Sequence, residues 1–241
     1  EVWIEEAEFG FSHIVEHCKK VPLHGSVLEI GCGSGILLSM LSHRFDTLTF
    51  NGIEPFGGSF SPLRELGKIV KLSEILIKNK TYEQFNPTIK FDLIYCVNVF
   101  EHVHDWRDFL LKVSKWITQK GKIVILCPNY GFPYESHFRI PILFNKSITY
   151  RIFKKFIINF EQKNNQVGVW ESLNFVRKSE ILYFLKSQSK LRLIDDLSIM
   201  NDIVERVSKD KEFRGRQNII SMIALISKKF GLLGLLKLFP N

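Results

Sequence analysis

A glycine-rich stretch, VLEIGCGSG at residues 27–35, constrains the fold of this chain more than any other feature. Residues 27–30 have the apolar pattern of a buried strand, and glycines follow at positions 31, 33 and 35. Glycine at the turn from a strand into a helix lets a ligand approach the backbone N–H groups of the helix start. The stretch therefore predicts the first strand, turn and helix of an α/β fold, with a ligand bound at the turn.

The residues around the glycines indicate the charge of that ligand. A dinucleotide fingerprint, GxGxxG, would need its third glycine at position 36, which is Ile36. Glu29 lies in the strand before the turn, where an acid would repel a phosphate and attract an ammonium or sulfonium group. We therefore expect a positively charged ligand; the alternative is that Glu29 is a buried acid bound by backbone N–H groups.

Strand-like and helix-like segments alternate through the first half of the chain, which is typical of a parallel sheet covered by helices. Further strands are predicted at residues 50–54, 75–78, 91–97 and 122–127, the last bounded by Gly121 and Pro128. Helices are predicted at residues 4–20, 36–43, 60–73 and 105–118. The expected fold is a Rossmann-like, doubly wound, mainly parallel sheet.

The sequence changes character after Pro128, where residues 129–147 carry two prolines and several aromatic side chains. Residues 148–165 predict a helix with Ile148, Ile152 and Phe156 on one face and basic residues largely on the other. Such a helix suits a lid over an apolar acceptor, contact with an anionic membrane surface, or packing on the domain. We expect one domain over residues 1–241, with a helical insertion at 129–175 after strand five that covers the acceptor.

The remainder of the chain is predicted as a helix at residues 179–188, a strand at 191–197 and a strand or buried helix at 219–227. The apolar stretch at 219–240 is interrupted by Lys228, Lys229 and Lys237, which argues against a helix that spans a membrane. Near the start of the chain there is no apolar segment of the signal-peptide type.

Charge and cysteine content bear on the partners and the compartment. Residues 1–130 hold 14 Lys and Arg against 15 Asp and Glu, whereas residues 131–241 hold 19 against 10. The basic second part suggests acidic acceptors, anionic lipids or nucleic acid as neighbours, or simply a solvated basic face. The four cysteines show no CxxC spacing, so we expect reduced thiols, no zinc site and a cytoplasmic protein, with the periphery of a membrane as the alternative.

Four segments together resemble a known family. VLEIGCGSG is similar to the first motif of the class I S-adenosylmethionine-dependent methyltransferases, in their small-molecule branch. FNGIEP, FDLIYCVNVFEHV and GKIVILCPN resemble the second, fourth and fifth strands of that family, in the expected order. The match covers residues 27–130 and, more weakly, 175–195. It implies S-adenosylmethionine as methyl donor and S-adenosylhomocysteine as product.

The resemblance also implies roles for single residues. The methionine end of the cofactor would lie at Glu29, Gly31, Cys32, Gly33 and Gly35, and at the backbone of Val97 and Asn98. Glu54 would accept hydrogen bonds from the ribose hydroxyls, with a surface cap as its alternative role. Asn79 would contact adenine if the third strand is 75–78, and Glu74 would do so if that strand is earlier.

Two histidines are candidates for a general base, which is needed only if the acceptor must lose a proton. His102 follows the fourth strand, and His137 lies in the loop after the fifth, two residues beyond Glu135. The alternative for His102 is a residue at a helix start that packs against the sheet. No metal constellation stands out, although Glu135 and His137 could supply two ligands to a site with a third elsewhere.

We therefore expect methylation of oxygen on a small acceptor that is lipid-like, phenolic or sugar-containing. The alternatives are an RNA methyltransferase that grips phosphates with its basic half, and a catalytically silent scaffold that keeps the cofactor pocket. Binding that weakens steeply with salt would indicate RNA. DNA modification is disfavoured, because VNVFEH follows strand four where amine methylation of bases would need an Asn/Asp-Pro-Pro-aromatic run.

Overall fold

A five-stranded sheet forms the centre of the fold in the computed structural model, which describes residues 2–57, 65, 75–188, 190–194 and 199. The strands lie in the order β3-β2-β1-β4-β5, and all neighbours are parallel. They are β1 (Ser26–Ile30), β2 (Thr49–Ile53), β3 (Leu76–Lys78), β4 (Phe91–Val97) and β5 (Ile117–Leu126). The predicted doubly wound, parallel α/β class is confirmed.

The described helices precede, connect and follow these strands. They are α1 (Val2–Cys18), α2 (Ile36–Arg44), α3 (Trp106–Trp116), α4 (Lys146–Lys163), α5 (Val169–Ser172) and α6 (Lys178–Leu185). α2 joins β1 to β2 and α3 joins β4 to β5, whereas β3 runs to β4 without a helix. α3 begins at a true cap, since Asp105 Oδ1 accepts hydrogen bonds from the backbone N–H groups of Arg107 and Asp108, each at 3.0 Å. Its apolar face, which includes Trp106 and Phe109, is buried.

The sheet is the core of the fold because its central strands are buried on both faces. Val27 and Leu28 of β1, and Leu93 and Ile94 of β4, have almost no exposed surface. Burial of each such side chain contributes about 1.5–3 kcal/mol. All four cysteines are free, and three of them are buried.

The fifth strand is longer than predicted and begins directly where α3 ends. Gly121, expected to bound the strand, lies inside it, next to a register shift between Phe91 and Leu93 of β4. A Cβ at Gly121 would lie 3.0 Å from the backbone oxygen of Asp92 and 2.6 Å from Ile117 Cγ1. Gly121 therefore allows β5 to approach β4 closely at an irregular point of their pairing. The sequence pattern alone indicates a turn at this glycine.

The described chain divides into two compact units: Glu1–Pro128 with Lys155–Asn174, and Asn129–Lys154 with the described part of Phe175–Asn241. In the second unit, β6 (Tyr134–Glu135) and β7 (Ile140–Pro141) pair antiparallel. The segment after strand five thus opens with a small hairpin before the predicted helix, α4. A single domain over residues 1–241 stays a prediction.

Some predicted elements lie outside the described residues: most of the helix at 60–73, and the segments after residue 200. Residues 191–194, the described part of the strand predicted at 191–197, form no strand. Within the described part of the chain, every helix is too short or too polar to cross a lipid bilayer.

Candidate active site

The glycine turn after β1 is fixed to the end of the neighbouring strand. The backbone N–H groups of Gly31 and Cys32 donate to the carbonyl oxygen of Ile53, at 2.8 and 3.2 Å. Gly31, Gly33 and Gly35 have φ values of 70°, 53° and 78°, which residues with a Cβ rarely adopt. A Cβ at Gly31 would also overlap the side chain of Val99. Both constraints explain the glycines.

Glu54 joins this turn to the loop after β2. Its Oε2 accepts a hydrogen bond from Gly33 N–H at 3.0 Å, and its Oε1 accepts one from Phe56 N–H at 3.1 Å. Burial raises the pKa of this carboxyl, while the two backbone donors lower it. An ionised carboxylate has about four acceptor sites. Glu54 can therefore still accept bonds from two hydroxyl groups, which fits the predicted ribose contact.

Glu29 is buried within β1, and its partner is a tyrosine that the sequence analysis missed. Tyr95 of β4 lies opposite Glu29 in register and donates its hydroxyl to Glu29 Oε2 at 2.9 Å. Burial raises the pKa of Glu29 to about 8; the Tyr95 bond lowers it and the charge of Glu54 raises it further. A cation that binds beside this carboxyl lowers its pKa and so favours the ionised form. That property fits the ammonium group of the predicted cofactor.

The other predicted cofactor residues lie at or just beyond strand ends. Asn79 directly follows β3 and is exposed, whereas its alternative Glu74 is outside the described residues. Val97 ends β4, and Asn98 adopts a φ of 53°, with its N–H donating to Leu126 O at 2.8 Å. Cys32 is buried, and burial raises the pKa of its thiol. In a parallel sheet the carboxyl ends of the strands form one edge, where such folds bind ligands.

α1 adds a second residue that sequence reasoning missed. A Cβ at Gly10 would lie 2.8 Å from Leu37 Cδ2 of α2 and 3.6 Å from Val97 Cγ2 at the end of β4. The helix therefore approaches the end of β4 closely, because Gly10 has no side chain. A lone glycine inside an apparently ordinary helix was the available signal.

His102 ends a short 3₁₀ turn, Phe100–His102, just beyond β4. Its Nδ1 lies 2.7 Å from Ser172 Oγ, and that hydroxyl donates to Val169 O at 2.7 Å. The side-chain amide of Asn174 donates to Phe100 O at 2.7 Å and to Val103 O at 3.0 Å. Ser172 and Asn174 follow about 70 residues later in the chain, and sequence reasoning had no signal for them.

His137 belongs to the second unit and is bound to a carboxylate. Its Nδ1 lies 2.7 Å from Glu135 Oε1, and Glu135 is completely buried. Glu135 also accepts a hydrogen bond from the backbone N–H of Phe138 at 2.7 Å and one from the hydroxyl of Tyr130 at 3.4 Å. A carboxylate accepts only, so the imidazole donates through Nδ1–H. The sequence analysis used the spacing of these two residues only as a possible pair of metal ligands and did not predict the contact between them.

A parallel sheet of this order, with glycines after its first strand and a buried acid after its second, defines the class I methyltransferase fold that the sequence motifs predict. A family model described as a methyltransferase domain matches residues 11–165. The chain therefore belongs to this family of methyltransferases, and the predicted class, S-adenosylmethionine-dependent methyltransferases, is confirmed.

The relatives that the chain resembles are diverse. An uncharacterized protein of Mycobacterium tuberculosis is 31% identical over 217 residues, which are 88% of this chain and 73% of that protein. Pavine N-methyltransferase of Thalictrum flavum subsp. glaucum is 29% identical over 100 residues, which are 42% of this chain and only 28% of the relative. Among solved structures, the plantazolicin methyltransferase BpumL in complex with a triazolic desmethylPZN analog and SAH has a TM-score of 0.50 at 14% identity, covering 88% of this chain and 77% of that one. The last likeness concerns the fold alone.

Proposed function

We propose that the protein transfers a methyl group to a hydroxyl oxygen of a small acceptor that is lipid-like, phenolic or sugar-containing. The observation that carries this proposal is the 2.7 Å contact between His102 Nδ1 and Ser172 Oγ. The Ser172 hydroxyl has one hydrogen, which it donates to Val169 O, so its oxygen accepts from His102 Nδ1–H. The neutral imidazole then has its basic lone pair on Nε2, as a general base for a hydroxyl requires.

The cofactor residues have distinct tasks in this proposal. When bound, S-adenosylmethionine supplies a methyl group that its sulfonium already activates, and S-adenosylhomocysteine is the product. Glu54 binds the ribose, Asn79 meets adenine, and Glu29 with the glycine turn and the Val97–Asn98 backbone holds the methionine end. The protein mainly aligns the acceptor and excludes water.

His137 is the second candidate for the base. Its contact with Glu135 gives it the same tautomer as His102, and the buried carboxylate would stabilise the imidazolium once a proton arrives. Either histidine would take the hydroxyl proton and release it to solvent. An amine acceptor that binds neutral needs no base, so dependence on a histidine distinguishes methylation of oxygen from methylation of nitrogen.

The proposal is tested with methyl-labelled S-adenosylmethionine and a panel of phenols, sugars and amines. We expect transfer to hydroxyl groups, at a rate that falls toward acidic pH. His102→Gln should lower kcat by on the order of a hundredfold or more while S-adenosylhomocysteine still binds. His137→Gln is measured in parallel, and the larger loss identifies the base.

Other outcomes contradict the proposal. Transfer to amines alone, with no effect of either histidine substitution, would replace the oxygen acceptor by nitrogen. Transfer to RNA that is lost steeply as salt rises would favour the RNA alternative. Cofactor binding without transfer to any acceptor would support the silent scaffold.

A further inference from the structure

An exposed apolar row runs along α4 and includes Phe144, two residues before the helix begins. Ile148, Ile152 and Phe156 follow one another at intervals of four residues, which places successive members on the same side of the helix. In chain order, the exposed fractions of the four side chains are 85%, 40%, 59% and 47%. The adjoining side of the same helix packs, because Thr149 and Ile157 have no exposed surface. Within the described part of the chain, the helix therefore packs through that side and leaves the apolar row exposed.

A basic row lies beside the apolar one. Arg151 and Lys155 are exposed, and at 100° per residue Arg151 stands about 60° around the helix from Ile148, and Lys155 about 60° from Ile152. Lys154 is also exposed, but it stands about 160° around the helix from Ile152, on the opposite side. From Phe144 to Phe160 the sequence has four basic residues and no acid. The helix thus presents apolar and positively charged side chains together.

Phe144 is held in its exposed position by the surrounding backbone. Its φ is 61°, a left-handed conformation that costs a side-chain-bearing residue roughly 1–2 kcal/mol. Before it, Leu143 N–H donates to Thr149 Oγ1 at 2.8 Å; after it, Asn145 Oδ1 accepts from Ile148 N–H at 2.9 Å. Both contacts anchor the start of α4, so the aromatic ring extends from an ordered segment.

We propose that this face of α4, residues 144–156, docks on an anionic membrane surface. An interfacial helix of this kind buries its apolar side chains at the boundary of headgroups and acyl chains, and its basic side chains meet anionic headgroups. The proposal does not depend on the acceptor or on the reaction proposed above, because it rests on a surface and not on the site.

Charge and side-chain chemistry favour this occupant over two others. Two copies of the face would bring two sets of basic residues together, which repel without an acid to pair them. RNA would satisfy the basic row and has two rings to stack on, Phe144 and Phe156, but the two isoleucines between them offer no flat surface to a base. A lipid surface is the partner that can bind both the apolar row and the basic row.

The experiment is flotation of the full chain with vesicles of phosphatidylcholine alone and with vesicles of equal parts phosphatidylcholine and phosphatidylglycerol. We expect binding to the anionic vesicles only. Ile152→Asp, which removes an apolar group and places an acid between basic residues, should weaken binding at least tenfold. Arg151→Gln should weaken it by about fivefold, the usual contribution of one basic residue near such a surface.

Matched controls use exposed positions away from α4. Leu23→Asp alters an apolar side chain that is 70% exposed between α1 and β1, and Lys120→Gln removes an exposed charge of β5; neither should change vesicle binding. Circular dichroism of each variant checks that it folds. Equal binding of wild type and Ile152→Asp would overturn the proposal, as would no binding of wild type to either vesicle.

Two further results would assign the face to another occupant. Sedimentation that reveals a dimer, lost in Ile152→Asp, would make it an interface between copies. Tight binding of a single-stranded RNA that is lost in Arg151→Gln and unchanged in Ile152→Asp would make it a nucleic-acid surface. Each of these overturns membrane docking.

Discussion

At the scale of single residues, Glu54 combines two tasks in one buried carboxylate: it binds the glycine turn and keeps capacity for a ligand. Glu54→Ala should weaken the binding of S-adenosylhomocysteine by about 1.5–3 kcal/mol, as expected for lost hydrogen bonds to a charged group. Titration calorimetry measures the change, and Asp46→Ala, at an exposed acid after α2, is the control. Equal affinity of Glu54→Ala and wild type would show that the ribose assignment is wrong.

Glu29 makes the stability of the protein depend on pH. Its pKa is about 8 in the folded protein against an ordinary 4.5, so the folded state binds the proton more tightly than the unfolded chain. The resulting stability is complete below the ordinary pKa and is lost as pH rises through the folded pKa. Glu29→Gln has no proton to lose. Its melting temperature relative to wild type should therefore rise between about pH 5 and about pH 9.

Thermal unfolding at several pH values checks this prediction. Tyr95→Phe is the informative second variant, because loss of the hydroxyl that stabilises the carboxylate should move the folded-state pKa of Glu29 upward and extend the upper end of the same window to higher pH. A difference between Glu29→Gln and wild type that is constant with pH would mean that Glu29 is ionised throughout.

At the scale of elements, α5 supports the turn after β4 through Ser172. Ser172→Ala releases His102 Nδ1 and lets the ring take the other tautomer, so kcat should fall on the order of tenfold or more with little change in KM. Ser172→Thr keeps the hydroxyl and should retain activity. Ser114→Ala is a matched control, because Ser114 makes the same bond to the carbonyl three residues earlier, at 2.8 Å.

The pH profile of kcat distinguishes a role of Ser172 in positioning His102 from a purely structural role. A tautomer change should alter the acidic limb of the kcat profile in Ser172→Ala, whereas a structural defect would lower the rate equally at every pH. If Ser172→Ala and Ser114→Ala behave alike, Ser172 does not position His102.

The sequence predicts elements well where local pattern decides them, and less well where distant contacts do. The strand 91–97 is found with the bounds that its apolar run predicts, because burial on both faces requires such a run. Gly121 gave a wrong start for the fifth strand, because its role depends on how closely β5 approaches the backbone of Asp92. Tyr95 became meaningful only once the register placed it opposite Glu29.

At the scale of the whole molecule, calorimetry tests whether the two compact units unfold together. The cofactor residues at 29–35, 54, 79 and 97–98 all lie in the first unit, as do His102 and Ser172. A ligand present at a hundred times its Kd stabilises the state that binds it by about 2.7 kcal/mol. For a chain of this size the melting temperature should rise by roughly 5–10 °C.

A single domain over residues 1–241 makes a definite prediction for calorimetry with S-adenosylhomocysteine. The chain passes between the units three times, after residues 128, 154 and 174, so neither unit is one continuous segment that could fold before the other is made. We expect cooperative unfolding in a single transition. Its midpoint temperature should rise with S-adenosylhomocysteine and stay unchanged with NAD. Two transitions, of which only one shifts to higher temperature with S-adenosylhomocysteine, would instead show that the second unit is an independent domain. His137, which lies in that unit, would then be the weaker candidate for the base.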